Sequence, residues 1–298
     1  MLFFSTEKLG ISLSKDCFDI IKDNLWLQGT LEELNMGGLE DAGGTKSGNP
    51  TITSVMVVIA MEAEALPSVE TLKLVEDDQS SVFPKGAPWK KYSGKMDSGL
   101  VVHIVVPGKD KILGVDSVGT VPSSLLTYAA GVALQPDLII NAGTAGAFQA
   151  KGATIGDVYI ATEFAHHDRR IPIPVFDKYG IGTMEAIPMD ALIKDLKLKH
   201  GKLSTGNSLD MTLQDEEHIK ANDATVKDME GAAVAYVADL LAIPMISLKA
   251  VTDIVDGTKP TVEEFLENMS TAASALSRTV PLVLEYVFGR TVSELHYG

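Results

Sequence analysis

Three acidic segments border apolar runs and offer carboxylates for acid–base chemistry. They are Ala60-Met61-Glu62-Ala63-Glu64 after Val55–Ile59, Asp228-Met229-Glu230-Gly231 before an Ala-rich run, and Thr252-Asp253 after Met245–Val251. Between the first and second lies Asn141-Ala142-Gly143-Thr144-Ala145-Gly146, which reads as a small-residue turn. The chemistry that suits such a set is glycosidic cleavage. One acid protonates the leaving group, one carboxylate handles water on the opposite face, and a third accepts hydrogen bonds from sugar hydroxyls. The C-terminal edge of parallel strands is where open α/β sheets gather ligands. The chain is expected to be an enzyme.

The elements that must position these groups alternate in the α/β manner. Val55–Ala60 is a continuous apolar run, as a strand buried on both faces requires. Leu100–Val106 is β-branched and stops at Pro107-Gly108, and Val118–Leu134 carries small and apolar residues at helical spacing. Leu138–Asn141, Asp157–Thr162, Gly201–Gly206 and Met245–Val251 read as further strands. Gly231–Leu241 reads as a helix with Val234, Val237, Leu240 and Leu241 on one face. Thr261–Phe288 reads as a long helix, with Thr261 and Glu264 at capping-box spacing and Pro281 expected to kink it or split off its last turns. The Gly-rich, polar stretch 36–50 reads as a linker, so the expected organisation is a flexible N-terminal extension over 1–50, one domain over 51–290 and a tail over 291–298. Met36 is a candidate alternative start.

Composition narrows the partners. Acidic residues outnumber basic ones 40 to 25, for a formal charge of −15. Such a surface repels phosphate backbones and anionic lipid, so neither nucleic acid nor membrane is expected as a partner. Nor does any apolar stretch approach the roughly 20 residues that span a bilayer. Cys17 is the single cysteine, which excludes an internal disulfide and a cysteine-based zinc site and fits a reducing, cytoplasmic location.

The four motifs together, Met61-Glu62-Ala63-Glu64, Asn141–Gly146, Asp228-Met229-Glu230 and Val251-Thr252-Asp253, resemble the 5′-methylthioadenosine/S-adenosylhomocysteine nucleosidases, in their plant form most of all. The likeness runs in consistent order over roughly residues 51–290. It implies a single-domain nucleoside-phosphorylase-like α/β fold, with a central mixed, twisted sheet flanked by helices. It also implies a homodimer, no cofactor, and hydrolysis of methylthioadenosine to adenine and methylthioribose. S-Adenosylhomocysteine is a second candidate substrate.

The resemblance further implies a role for each matching residue. Asp253 becomes the acid that protonates purine N7, and Glu64 the carboxylate that activates water. Glu230 accepts hydrogen bonds from the ribose hydroxyls, and Met229 lies against the sugar. Thr144 and Lys249 fall near the attacking water, although many relatives carry arginine where this chain has Lys249. Leu209 and the backbone near Asp210 face the base, with Leu209 standing where relatives often have an aromatic. Met61 sits toward the alkylthio end. Glu62, two residues before Glu64, is read as a solvated acid.

Two rival functions remain in view. A phosphorylase of the same fold would need a cationic or N–H-rich phosphate cradle, yet Glu62 and Glu64 follow the first strand where an arginine would be expected. A storage or binding protein on this scaffold typically loses the acids, which this chain retains. His166-His167-Asp168-Arg169-Arg170 does not read as a metal site, because adjacent histidines on an extended chain point apart.

Overall fold

The computed structural model describes residues 51–77 and 82–297. The expected N-terminal extension, with Cys17 and Met36, lies outside the described residues. The described chain forms one mixed sheet with helices on both faces. Its strands are β1 (Ser54–Val58), β2 (Val75–Glu76), β3 (Lys90–Lys95), β4 (Val101–Val106), β5 (Leu138–Ala147), β6 (Val158–His166), β7 (Met184–Glu185), β8 (Lys199–Thr205), β9 (Val226–Asp228) and β10 (Met245–Ile254). The helices are α1 (Glu62–Thr71), α2 (Thr120–Leu134), α3 (Phe176–Ile181), α4 (Asp190–Leu196), α5 (Leu213–Ala221), α6 (Gly231–Leu240), α7 (Thr261–Val287) and α8 (Glu294–Tyr297).

Strand β1 runs parallel to β4 on one side and to β5 on the other, and β5 runs parallel to β10. From β10 the hydrogen bonding continues through β6, β8 and β9 back to β5, so this half of the sheet closes on itself. The alternating pleat of β1 feeds two cores. Val55, Val57 and Ile59 join a cluster that includes Leu276, Val280 and Val283 of α7. Met56 and Val58 join another with Leu126 of α2 and Val234 of α6. Burial on both faces is why β1 reads as an unbroken apolar run.

Several expectations are corrected. Asn141–Gly146 is not a turn but the continuation of β5, whose strand runs to Ala147. Likewise Thr252 and Asp253 lie within β10, which runs to Ile254. In both stretches small or polar residues mimic a turn signal while the ladder persists, because neighbouring side chains need the space. Helix α7 is unbroken across Pro281. Glu264 does not close a capping box with Thr261; its Oε2 accepts the Ile254 N–H at 2.7 Å and so ties the helix to the end of β10. Leu240, read on one face of α6 with Val234 and Val237, is exposed where those two are buried. Beyond residue 290 the chain packs back, with Leu295 of α8 fully buried in the core.

Candidate active site

The C-terminal ends of β1, β5, β9 and β10 open onto a cavity of about 550 Å³, which suits a small-molecule ligand. Its wall includes Met61, Glu64, Thr144, Leu209, Met229, Glu230 and Asp253. Two other residues expected at the site stand apart from this wall. Asp210 is exposed, and Lys249 lies beneath, with its ammonium committed elsewhere.

Glu64 occupies the first turn of α1 and is buried. Its Oε1 accepts the Thr144 N–H at 2.8 Å and the Thr144 hydroxyl at 2.5 Å, and its Oε2 accepts the Met61 N–H at 3.3 Å. Burial pushes the carboxyl pKa up, against the opposing pull of the Thr144 bonds and the Lys249 charge. Gly143 lies beside the Glu64 and Lys249 tips, where a Cβ would stand 3.5 Å from each, in ordinary contact. Glu62 points elsewhere, to Lys90 Nζ at 2.6 Å and the Tyr92 hydroxyl at 3.0 Å. Two acids only two residues apart therefore have separate fates because a helix start turns them to different sides.

Asp253 sits just after a register shift in β10, where Val251 pairs with Ala145 but Asp253 with Gly146. Such a bulge re-aims a side chain, and here the carboxylate is brought over Gly146. A Cβ at Gly146 would fall 2.6 Å from Asp253 Oδ2. The Thr252 hydroxyl donates to Asp253 Oδ1 at 2.8 Å. Burial raises the Asp253 pKa and Glu264 adds to it, while the Thr252 bond and the Lys227 charge oppose.

Glu230 precedes α6 and is also buried. Its Oε1 accepts the Gly119 N–H at 2.8 Å. Gly119 has φ near 98°, a conformation that disfavours a side chain, so the loop before α2 can turn its amide toward the carboxylate. Burial first, and the neighbouring Asp228 second, raise the Glu230 pKa to about 7.

Asp228, the first residue of the second acidic motif, has a structural part that its sequence position does not suggest. Its Oδ2 accepts from Lys249 Nζ at 2.7 Å and from the Gly231 N–H at 2.8 Å, and its Oδ1 from the Thr205 hydroxyl at 2.6 Å. Both charges of the Asp228–Lys249 pair are buried, so the pair ties β9 to β10 behind the cavity wall that Asp228 helps to line. Sequence reasoning also missed Lys227, Phe265 and the loop residues Lys109, Gly114, Val115, Asp116 and Val118, all on the cavity wall. A lysine in Val226-Lys227-Asp228 carries no local signal of burial, and the loop contacts are set by long-range packing.

Chemically, the cavity brings together three buried carboxyl groups, Glu64, Glu230 and Asp253, each with its pKa raised by burial. No group of three or more His, Cys, Asp or Glu residues that could hold a metal ion occurs among the described residues. His166 and His167 are both buried, with His167 Nδ1 3.1 Å from the Ser204 hydroxyl.

Residues 54–285 match the phosphorylase superfamily. Over 244 residues the chain is 57% identical to a 5′-methylthioadenosine nucleosidase of Arabidopsis thaliana, spanning 82% of this chain and 91% of that protein. A 5′-methylthioadenosine/S-adenosylhomocysteine nucleosidase from the same plant is 54% identical over 244 residues, 82% of this chain and 95% of its own. The apo structure of the Arabidopsis thaliana 5′-methylthioadenosine nucleosidase superposes with a TM-score of 0.80 at 56% identity, covering 82% of this chain and all of that one (100%). With acids, sheet and cavity arranged as above, the chain belongs to the phosphorylase superfamily and, within it, to the 5′-methylthioadenosine/S-adenosylhomocysteine nucleosidases, which are N-glycosyl hydrolases.

Proposed function

We propose that this chain hydrolyses the N-glycosidic bond of 5′-methylthioadenosine, releasing adenine and 5-methylthioribose, with Asp253 as acid and Glu64 as the carboxylate that handles water. The observation that carries the reading is that both carboxyl groups line one cavity, each buried and each with its pKa raised. A protonated Asp253 can give N7 its proton, so the base leaves neutral; such transfer is worth roughly 10²–10⁴-fold. Glu64, oriented by Thr144 and Met61, takes a proton from water on the other face of the sugar. Glu230 accepts from the ribose hydroxyls, and Met229 supports the ring. Leu209 covers the base through apolar contact, Asp210 contributes main chain alone, and Met61 borders the alkylthio group. Lys249 acts from below by holding Asp228 and lending positive charge toward Glu64.

Water is favoured over phosphate as the second substrate. Among the described residues on the cavity wall there is no arginine, and both lysines are engaged, Lys227 with main-chain carbonyls and Lys109 with Asp116 at 3.3 Å. The test of the acid role is Asp253→Asn. Adenine release should fall about 10²–10⁴-fold, with adenine still bound; near-full turnover would sink the assignment.

The enzyme is further read as a cytoplasmic homodimer. Val121, Leu125, Tyr128 and Val132 form an exposed stripe along α2, continued by Tyr236 and Leu240 of α6. An apolar face of this kind on a chain otherwise rich in charge is suited to self-association.

A further inference from the structure

We propose that Lys227 is a positioning residue that joins base recognition to proton donation: its ammonium holds the Leu209–Asp210 main chain at the cavity wall and presents a cation to Asp253. The proposal rests on the reading of Asp253 as the acid.

Lys227 lies in β9, opposite Gly146 of β5 and Ser204 of β8, and is 5% exposed. Gly146 is also the residue paired with Asp253 on β5's other side, so the lysine and the acid flank one small residue. The lysine Nζ donates to the Leu209 carbonyl at 2.7 Å and to the Asp210 carbonyl at 3.5 Å. Lys227, Leu209 and Asp253 share the cavity wall. The segment from Asn207 to Asp210 lies between β8 and α5, outside any strand or helix. It is tethered at its start, where the Asn207 N–H donates to Asp168 Oδ2 at 2.6 Å, and near its end by Lys227. Removing the lysine would release the end that borders the cavity.

Burying an ammonium is costly unless its protons are satisfied. Burial lowers the Lys227 pKa, and Asp253, Asp210, Asp228 and Asp215 act in the opposite direction. Asp253 in turn faces Lys227 from β9, Glu264 from α7 and the Thr252 hydroxyl from its own strand. Among these, Lys227 is the cation that restrains the rise of the Asp253 pKa. A buried lysine that served packing alone would be replaceable by an apolar side chain of similar length. One that also positions the acid would leave a trace in the pH profile.

The test compares wild type, Lys227→Met and Lys227→Arg by adenine affinity and by the pH dependence of kcat on methylthioadenosine. Lys227→Met should weaken adenine binding about tenfold or more, as loss of a charge-assisted hydrogen bond predicts. It should also move the alkaline limb of kcat to higher pH, because Asp253 without its cation keeps the proton longer. Lys227→Arg should restore both toward wild type. A folded Lys227→Met with wild-type adenine affinity and an unmoved limb overturns the proposal. If that variant does not fold, Lys227→Gln, which keeps an N–H donor without charge, should bind adenine nearly normally yet still shift the limb; an unmoved limb there overturns the electrostatic half. Adenine affinity does not depend on which group donates the proton. Full activity in Asp253→Asn would therefore remove the acid assignment separately.

Discussion

Burial is what raises the Asp253 pKa, and Gly146 is what leaves its carboxylate the room to sit there. Gly146→Ala would place a methyl 2.6 Å from Asp253 Oδ2 and 2.8 Å from Val255 Cγ2. One or both must move, and kcat should fall about tenfold or more, since small misplacements at a reacting centre are costly. Steady-state kinetics on a variant with a normal circular dichroism spectrum checks this; unchanged kcat would mean the acid tolerates displacement. Glu64→Gln keeps the side-chain shape but cannot take a proton from water. Its kcat should drop by about 10²-fold or more with little change in KM. Glu230 makes a different prediction, in stability. Its folded pKa, about 7, lies above the ordinary 4.5, so the folded protein binds more protons than the unfolded chain between those values. The Glu230 contribution therefore falls as pH rises from about 4.5 toward 7. Other groups, such as His166 with its pKa lowered to about 4, tilt the curve the opposite way. The informative quantity is the Tm of wild type minus that of Glu230→Gln, which should decrease over this window; a flat difference would contradict the raised pKa.

At the scale of elements, the site depends on strands that outlast their sequence signals. The apolar halves of β5 and β10 were legible, and so was the alternation of strands and helices. Their far halves were not, because Asn141–Gly146 and Thr252–Asp253 use small and polar residues that elsewhere mark turns. The physical reason emerges from packing: Gly146 leaves room for the Asp253 carboxylate, which a Cβ there would meet at 2.6 Å. The candidate acids could be named from their types and order, but spacing along the chain could not show convergence. Nor could it show that Asp228 and Lys249 pair, since the contact links residues from separate strands, β9 and β10. The bulge at Thr252 is braced from α7, where Asn268 Nδ2 donates to the Thr252 carbonyl at 3.1 Å and Glu264 accepts the Ile254 N–H. Thus the acidic start of α7 serves the adjoining strand rather than its own cap. Lys249→Met should leave Asp228 buried without its cation and destabilise the fold by about 3–5 kcal/mol. Chemical denaturation checks this. Adding Asp228→Asn to Lys249→Met should recover part of the loss, and no recovery would mean the pair's charges are not coupled.

For the whole molecule, acidic residues outnumber basic ones 40 to 25, while the cavity's own carboxyl groups are shielded by burial. The substrate suited to it is uncharged and riboside-like, held by hydroxyl and apolar contacts rather than by phosphate. The exposed stripe on α2 belongs to this scale too. On the proposed homodimer, wild type should sediment as a dimer and Leu125→Glu as a monomer; a monomeric wild type would contradict the dimer, and a Leu125→Glu dimer would place the interface elsewhere. Among the described residues no helix is long and apolar enough to cross a membrane.

The most direct test of the central claim is to supply methylthioadenosine with and without inorganic phosphate and to separate the products by chromatography. Adenine and free methylthioribose should form at the same rate in both conditions. A sugar phosphate formed only when phosphate is present would contradict hydrolysis, and no adenine in either condition would contradict the substrate.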